Sequence, residues 1–148
     1  GKSTFLVGGG AGEAAERVPP ADLYERAPTS RPGTDLPAPR SASRDDLVRY
    51  AASTRDWNPI HWDLDSALAA GLGGVVVHGL LQSAWLTQVA ASFGRGDRPV
   101  RSARFRYTAP LRPAEAAEIR GRREGEDLDL TLNVGERTTV SGRFEVVP

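Results

Sequence analysis

The last third of the chain alternates apolar and polar residues with a period of two, the pattern of a strand with one buried face. Two segments show it most clearly, LDLTLNV and TVSGRFEVV, whose alternate residues are Leu128, Leu130, Leu132, Val134, Val140, Gly142, Phe144 and Val146. VRSARFRYTAP and AAEIRGRRE are weaker strands, and EGED suits the turn between the second and third strands. We therefore predict an antiparallel meander.

Helical patterns come before these strands. Ser43 can cap a helix over about 44–54, with Asp46 as its third residue, and a shorter helix begins after Asp63. A third helix is predicted over 79–93, and we expect it to be buried all round because small apolar residues cover several of its faces. Helices followed by strands predict an α+β fold, in which a curved sheet wraps one central helix.

Composition excludes several classes of function. The 148 residues include 19 basic and 19 acidic ones, a balance that gives no electrostatic reason to expect nucleic acid or a membrane surface as a partner. Cysteine is absent and two histidines are too few for a histidine-built metal cluster, so we expect no metal or thiolate site. The uncharged stretch 67–85 is interrupted by glycines and His78, so we expect no membrane span and a cytosolic protein.

The amino-terminal quarter differs in composition. Residues 8–40 are rich in glycine, proline, alanine and charge, so we predict a linker there and a folded domain over 41–148. The chain begins with glycine and contains no methionine, which favours a processed or excised segment. The opening GKST lacks the upstream glycine of a phosphate-binding loop, and GGGAG does not complete G-x-G-x-x-G, so we predict no nucleotide site.

The stretch RDWNPIHWD, residues 55–63, carries the candidate chemistry. Asp56 and His61 flank a turn that can bring a carboxylate and an imidazole to one cleft, the usual pair for proton transfer near neutral pH. Between them, Asn58 can orient a water molecule. Each residue taken alone also has a structural interpretation, with Asp56 or His61 as a helix cap and Asn58-Pro59 as an ordinary turn.

VVHG, residues 76–79, adds an electrophilic element. The Gly79 amide begins the predicted third helix, where the positive end of the helix dipole favours an oxyanion, and glycine permits close approach of a carbonyl. An acid, a base and an oxyanion donor together indicate proton transfer beside a carbonyl. We assign His78 a structural role, through packing or a local hydrogen bond.

YAASTRDWNPIHWDLDSA, residues 50–67, resembles the hydratase 2 motif of the MaoC-like hot-dog proteins, the (R)-specific enoyl-thioester hydratases and dehydratases. RFRYTAPLRP, residues 104–113, is similar to another strand of that family, and the likeness covers about residues 36–148. It implies a hot-dog fold that hydrates trans-2-enoyl thioesters, or dehydrates (3R)-hydroxyacyl thioesters, carried on CoA or acyl carrier protein. It also implies a homodimer or a pairing with a second hot-dog half, and no cofactor.

The resemblance assigns roles to particular residues. Asp56 and His61 would be the acid and base, Asn58 would help to hold the water, and the Gly79 amide would bind the thioester oxygen. Three aromatic residues are candidates to line an acyl pocket, although aromatic residues near a helix are more often plain core, namely Trp57, Trp62 and Trp85.

Three features set this chain apart from the family pattern. Arg55 stands where the family has glycine, so it either strains the turn or contacts a phosphate of the carrier. Ala114-Glu115 replaces Gly-Asp after the 104–113 strand. GKSTFLVGGGAG resembles the last strand of a preceding hot-dog half, so residues 1–40 would be a strand remnant followed by the linker.

Two other functions stay open. A non-catalytic hot-dog subunit would stabilise a partner, and it would be indicated by loss of Asp56, His61 or Gly79, none of which is lost. A different hot-dog reaction, such as thioester hydrolysis, would need an acid or a water site elsewhere on the helix, which the D-x-N-P-I-H grouping does not suggest.

Overall fold

The computed structural model describes residues 38–148, so the predicted strand remnant and most of the predicted linker lie outside the described residues. The described part is α+β, as predicted. Its elements in chain order are α1 (Arg44–Thr54), a 3₁₀ turn (Pro59–His61), α2 (Leu64–Ala69), α3 (Gly79–Phe93), β1 (Val100–Tyr107), β2 (Glu118–Glu124), β3 (Asp127–Val134) and β4 (Arg137–Val146).

The helix ends follow local capping chemistry. At the start of α1, the Ser43 hydroxyl accepts the Asp46 amide at 3.1 Å and the Asp46 carboxylate accepts the Ser43 amide at 2.9 Å. The Ser43 hydroxyl also donates to the Asp46 carboxylate at 2.7 Å, and this bond, followed by the one from the Ser43 amide, lowers the pKa of Asp46. Asp63 caps α2 in the same way, with its carboxylate 2.7 Å from the Ser66 amide. Both caps lie where the sequence predicts them.

The four strands form one antiparallel sheet in the order β1-β4-β3-β2. Strands β2, β3 and β4 are the predicted meander. The expectation that β1 also follows chain order is wrong, because β1 pairs with β4 and forms the edge of the sheet opposite β2. The connection 108–117 contains Pro110 and Pro113, which cannot donate ladder hydrogen bonds, so β1 and β2 form no hairpin.

The predicted alternation of β3 and β4 is confirmed, apart from Val134. The buried residues that follow the alternation are Leu128, Leu130, Leu132, Val140, Gly142, Phe144 and Val146, and Thr139 of β4 is buried as well. The register slips after Leu132, which buries Asn133 and leaves Val134 only half-buried. Phe144 meets Phe105 of β1 edge to face, with ring centroids 5.5 Å apart. The sheet therefore presents one continuous apolar face.

Helix α3 packs across that face, but it is not buried all round. Trp85, Leu86, Val89 and Ala90 are buried in the core. The opposite side, at a spacing of four residues, is exposed at Leu80, Ala84, Gln88 and Ser92. Leu80 alone is 62% exposed. The sheet covers only one side of the helix among the described residues, so small apolar residues on the other side stay at the surface.

Within the described residues, every helix is too short or too polar to cross a lipid bilayer.

Candidate active site

The site begins where α1 ends. Arg55 follows the helix with φ of 62°, the left-handed conformation that usually belongs to glycine at this position. For a residue with a Cβ atom this conformation costs about 1–2 kcal/mol. Of the two outcomes expected for Arg55, the structure shows the strained turn. The contact with a carrier phosphate stays a prediction.

The next turn is built from the side chains of Asp56 and Asn58. The Asp56 carboxylate accepts the Asn58 amide, and the Asn58 side-chain oxygen accepts the Ile60 amide, each at 3.4 Å. Pro59 then opens the 3₁₀ turn, because its fixed φ suits the first position of a helix. Asn58 is exposed and its oxygen serves the turn, so its contact with water remains a prediction.

His61 ends the 3₁₀ turn and points into the protein. It is buried, and its Nδ1 lies 2.7 Å from the carbonyl oxygen of Val76. Since a carbonyl oxygen can only accept, Nδ1 carries the proton of the neutral ring and Nε2 keeps its lone pair. In the neutral ring, Nε2 can therefore accept a hydrogen bond or a proton.

His78 lies directly against His61. Their rings stack with centroids 3.8 Å apart and an angle of 23° between the planes. The Nε2 of His78 contacts the Asp56 carbonyl oxygen at 3.4 Å, and the Tyr50 ring lies 4.8 Å away. Of the two expectations for His78, packing is observed, whereas its hydrogen bond is not local, because it joins residues 22 positions apart. Only the tertiary fold puts His78 between the two candidate catalytic residues.

The surroundings of His78 and Tyr50 favour the neutral forms of these two side chains. His78 is completely buried, and this desolvation, followed by the charge of His61, lowers its pKa. Burial raises the pKa of Tyr50, and the nearby charge of Asp56 raises it further, so Tyr50 keeps its hydroxyl proton. The ligand atoms of Asp56, His61 and His78 lie within 4.8 Å of one another. Among residues 38–148, these three also form a group that could hold a metal ion.

Gly79 forms the first turn of α3 beside this cluster. His78, the residue before it, makes no side-chain cap, so no capping side chain occupies the amino end of the helix. A Cβ atom on Gly79 would lie 2.9 Å from a ring carbon of Tyr107, which is too close. The Tyr107 hydroxyl is held 2.6 Å from the Ser83 hydroxyl. Tyr107 and Ser83, which our sequence analysis missed, thus require glycine at position 79.

The three tryptophans do not form one pocket. Trp57 and Trp62 are 53% and 49% exposed, and the Trp62 indole donates to the Trp57 carbonyl oxygen at 3.3 Å. Trp85 belongs to the core and lines a cavity of about 430 Å³ together with Tyr50 and Leu81. Tyr50 also contacts His78, so the cavity beside Trp85 is adjacent to the stacked histidines.

Known proteins resemble this chain in sequence and in fold. A mitochondrial 3-hydroxyacyl-[acyl-carrier-protein] dehydratase from Arabidopsis thaliana is 37% identical over 60 residues, which cover 40% of this chain and 36% of the plant protein. This chain therefore matches only about a third of the length of that curated relative.

Two solved structures share the fold. Protein af1124 from Archaeoglobus fulgidus superposes with a TM-score of 0.68 at 23% identity, covering 81% of this chain and 83% of that one. The (R)-hydratase from A. caviae involved in PHA biosynthesis has a TM-score of 0.57 at 19% identity, covering 78% of this chain and 100% of that one.

The decisive comparison is with a whole domain family. The MaoC like domain family matches residues 26–142, more than three quarters of the chain. Within that range lie the candidate acid, base and oxyanion donor, on the α1 turn, the 3₁₀ turn and the start of α3. The chain belongs to the MaoC-like domain family and has its hot-dog fold.

Proposed function

We propose that this protein is a hydro-lyase that hydrates trans-2-enoyl thioesters and runs the reverse dehydration of (3R)-hydroxyacyl thioesters. The observation that carries the proposal is the meeting of Asp56 and His61 beside the uncapped amino end of α3. The acyl carriers proposed are CoA and acyl carrier protein, and the name of the Arabidopsis relative supports the second.

In the hydration direction, the Asp56–His61 pair moves the protons. Nε2 of His61 accepts a proton from water while the water oxygen bonds to C3. The electrons of the C2–C3 double bond shift toward the thioester carbonyl, whose oxygen receives the Gly79 amide hydrogen bond at the positive end of the α3 dipole. The pair then returns a proton to C2, which completes addition of one water molecule and leaves both residues as they began.

The test follows the disappearance of the enoyl-thioester absorbance of crotonyl-CoA, a longer trans-2-enoyl-CoA and a crotonyl carrier protein. We expect Asp56→Asn and His61→Gln each to lower kcat by about 10²- to 10⁴-fold, the usual contribution of a positioned acid or base. The control is Asp97→Asn, which removes an exposed carboxylate from the loop between α3 and β1 and should leave kcat unchanged.

The outcomes separate the candidate functions. Turnover that survives both site substitutions would refute the mechanism. Absence of turnover with every carrier, in the wild type and in the presence of a partner domain, would favour the non-catalytic subunit instead.

We also propose that a second hot-dog domain, from another copy or another chain, pairs with this one. Strand β1 is an edge of the sheet among the described residues, and the exposed stripe of α3 contains Leu80, 62% exposed. An unpaired strand next to exposed apolar side chains favours association. Analytical ultracentrifugation should give a dimer mass for the wild type and a lower mass for Leu80→Glu. A wild-type monomer throughout the micromolar range would exclude the homodimer.

The cellular compartment stays a prediction. Our sequence analysis expects the cytosol, whereas the name of the Arabidopsis relative places that protein in mitochondria. Fractionation of cells that express the complete natural protein would decide between them.

A further inference from the structure

The Val76 carbonyl selects the tautomer of His61, so whatever fixes this carbonyl also prepares the base. We propose that Arg112, supported by Glu115 and Arg137, is a positioning residue that holds the loop 72–77 and thereby keeps the His61 proton on Nδ1. This inference rests on the proposed function for its catalytic meaning. The tautomer itself can be measured without any reaction.

Arg112 grips the loop at its beginning. Its Nη2 donates to the carbonyl oxygen of Leu72 at 2.6 Å. The same guanidinium lies over two glycines, since a Cβ atom on Gly73 or Gly74 would be 3.2 Å or 2.9 Å from its nitrogens. Gly73 has φ of 68° and Gly74 has φ of 146°, values that residues with side chains rarely adopt. A planar cation thus fits against the two glycines, where the loop has no side chains.

Backbone hydrogen bonds connect the loop that Arg112 holds to the turn that carries His61. Val77 donates its amide to the Leu111 carbonyl at 2.8 Å, next in sequence to Arg112. Val76 donates its amide to the Ile60 carbonyl at 3.2 Å, and its own carbonyl accepts His61 Nδ1 at 2.7 Å. The loop is therefore held on one side by residues 111–112 and on the other by the turn that carries His61.

Arg112 is itself held by an ion-pair network. Its backbone amide donates to one oxygen of Glu115 at 2.8 Å, and the other oxygen of Glu115 accepts Arg137 at 2.7 Å. Arg137 also donates to the carbonyl of Pro110. Burial alone would raise the pKa of Glu115, but the hydrogen bonds from Arg112 and Arg137 outweigh it and lower this pKa. Glu115 therefore stays charged and closes the turn 110–115.

Without the hydrogen bond from Arg112, the loop is released at Leu72 and the Val76 carbonyl can move away from Nδ1 of His61. A neutral imidazole without that acceptor can carry its proton on either nitrogen. Only the form protonated on Nδ1 leaves a lone pair on Nε2 for water. Partners that orient a functional histidine in this indirect way typically matter by about 10- to 100-fold.

The experiment measures the tautomers of the two imidazoles by ¹⁵N NMR, at a pH high enough for both rings to be neutral. The sequence has two histidines, so the His78→Gln variant assigns both spectra. We expect the wild type to hold the His61 proton on Nδ1 and Arg112→Gln to give a mixture. Arg112→Lys keeps one donor for Leu72 but cannot cover both glycines. Its fraction of His61 protonated on Nδ1 should therefore lie between those of the wild type and Arg112→Gln. If Arg112→Gln does not fold, the comparison of Arg112→Lys with the wild type carries the test.

Kinetics and a matched control complete the design. With enoyl thioester, Arg112→Gln should lower kcat about 10- to 100-fold and change KM much less, because substrate contacts are untouched. Arg101→Gln removes an arginine that pairs with Glu126 and Glu145 at the start of β1, and it should change neither kcat nor the tautomer.

An unaltered His61 tautomer in folded Arg112→Gln would overturn the proposal, and so would an equal effect of Arg101→Gln. A wild type without hydratase activity would refute the proposed function instead, while the tautomer measurement would still decide the role of Arg112.

Discussion

Acidification should destabilise this protein through one buried side chain, His78. The ring is fully buried and stacked on His61, and desolvation, followed by the charge of His61, lowers its pKa below the ordinary value of 6.5. The unfolded chain therefore binds a proton near pH 6.5 that the folded protein does not yet bind. The stabilisation from a neutral His78 is complete above that pH and is lost as the pH falls below it.

The magnitude follows from the linkage between proton binding and folding. One proton taken up only by the unfolded state costs about 1.4 kcal/mol of unfolding free energy per pH unit below its unfolded pKa. Between about pH 7.5 and about pH 5.5, His78 should therefore remove up to about 1.4 kcal/mol of unfolding free energy. Carboxylates also contribute, but they are common to wild type and variant and cancel in the comparison.

The assay is urea unfolding of the wild type and of His78→Gln at both pH values. Gln keeps an amide that can reach the Asp56 carbonyl, and it does not titrate. Loss of the ring stack should lower the stability of the variant at both pH values. Its further loss on acidification should be smaller than that of the wild type, by at most about 1.4 kcal/mol. Equal losses in the two proteins, or an NMR titration that puts the His78 pKa at or above 6.5, would refute the reasoning.

Other predictions concern single positions around the site. Arg55→Gly should relieve the left-handed turn and raise stability by about 1 kcal/mol, seen as a Tm higher by about 4 °C; an unchanged or lower Tm would contradict it. Gly79→Ala should press its methyl group against Tyr107 and lower kcat by about 10²- to 10³-fold in a folded protein. Adding Tyr107→Leu to that variant should restore part of the lost activity. Full activity of Gly79→Ala would contradict the close packing. Ser43→Ala should remove the cap of α1 and cost about 1 kcal/mol in urea unfolding, whereas a neutral effect would mean that the capping box adds nothing.

Two departures from the family motif share one structural feature, a left-handed backbone at a residue that is not glycine. Arg55 and Ala114 both stand where the motif has glycine, and both have left-handed backbones, with φ of 62° and 64°. Sequence comparison reveals the missing glycines, but it does not reveal that the backbone kept the conformation that glycine would favour. The strain is therefore present at the site turn and again at the turn that presents Glu115.

Local interactions explain which parts of the fold the sequence predicts well. Helices α1 and α3 have the predicted ends, Arg44–Thr54 and Gly79–Phe93, because caps, glycines and side-chain period act within a few residues. The buried faces of β3 and β4 follow from alternation for the same reason. The place of β1 was predicted wrongly because strand order depends on contacts between distant segments.

The amino-acid sequence by itself determined the elements, the buried faces of β3 and β4 and the candidate pair Asp56 and His61, since each depends on neighbours along the chain. Only the tertiary structure decided what surrounds that pair. His78 reaches Asp56 across 22 residues, and Arg112 reaches Leu72 across 40. Such contacts depend on how the 3₁₀ turn, the 72–77 loop and the segment after β1 pack together, and no local pattern encodes that packing.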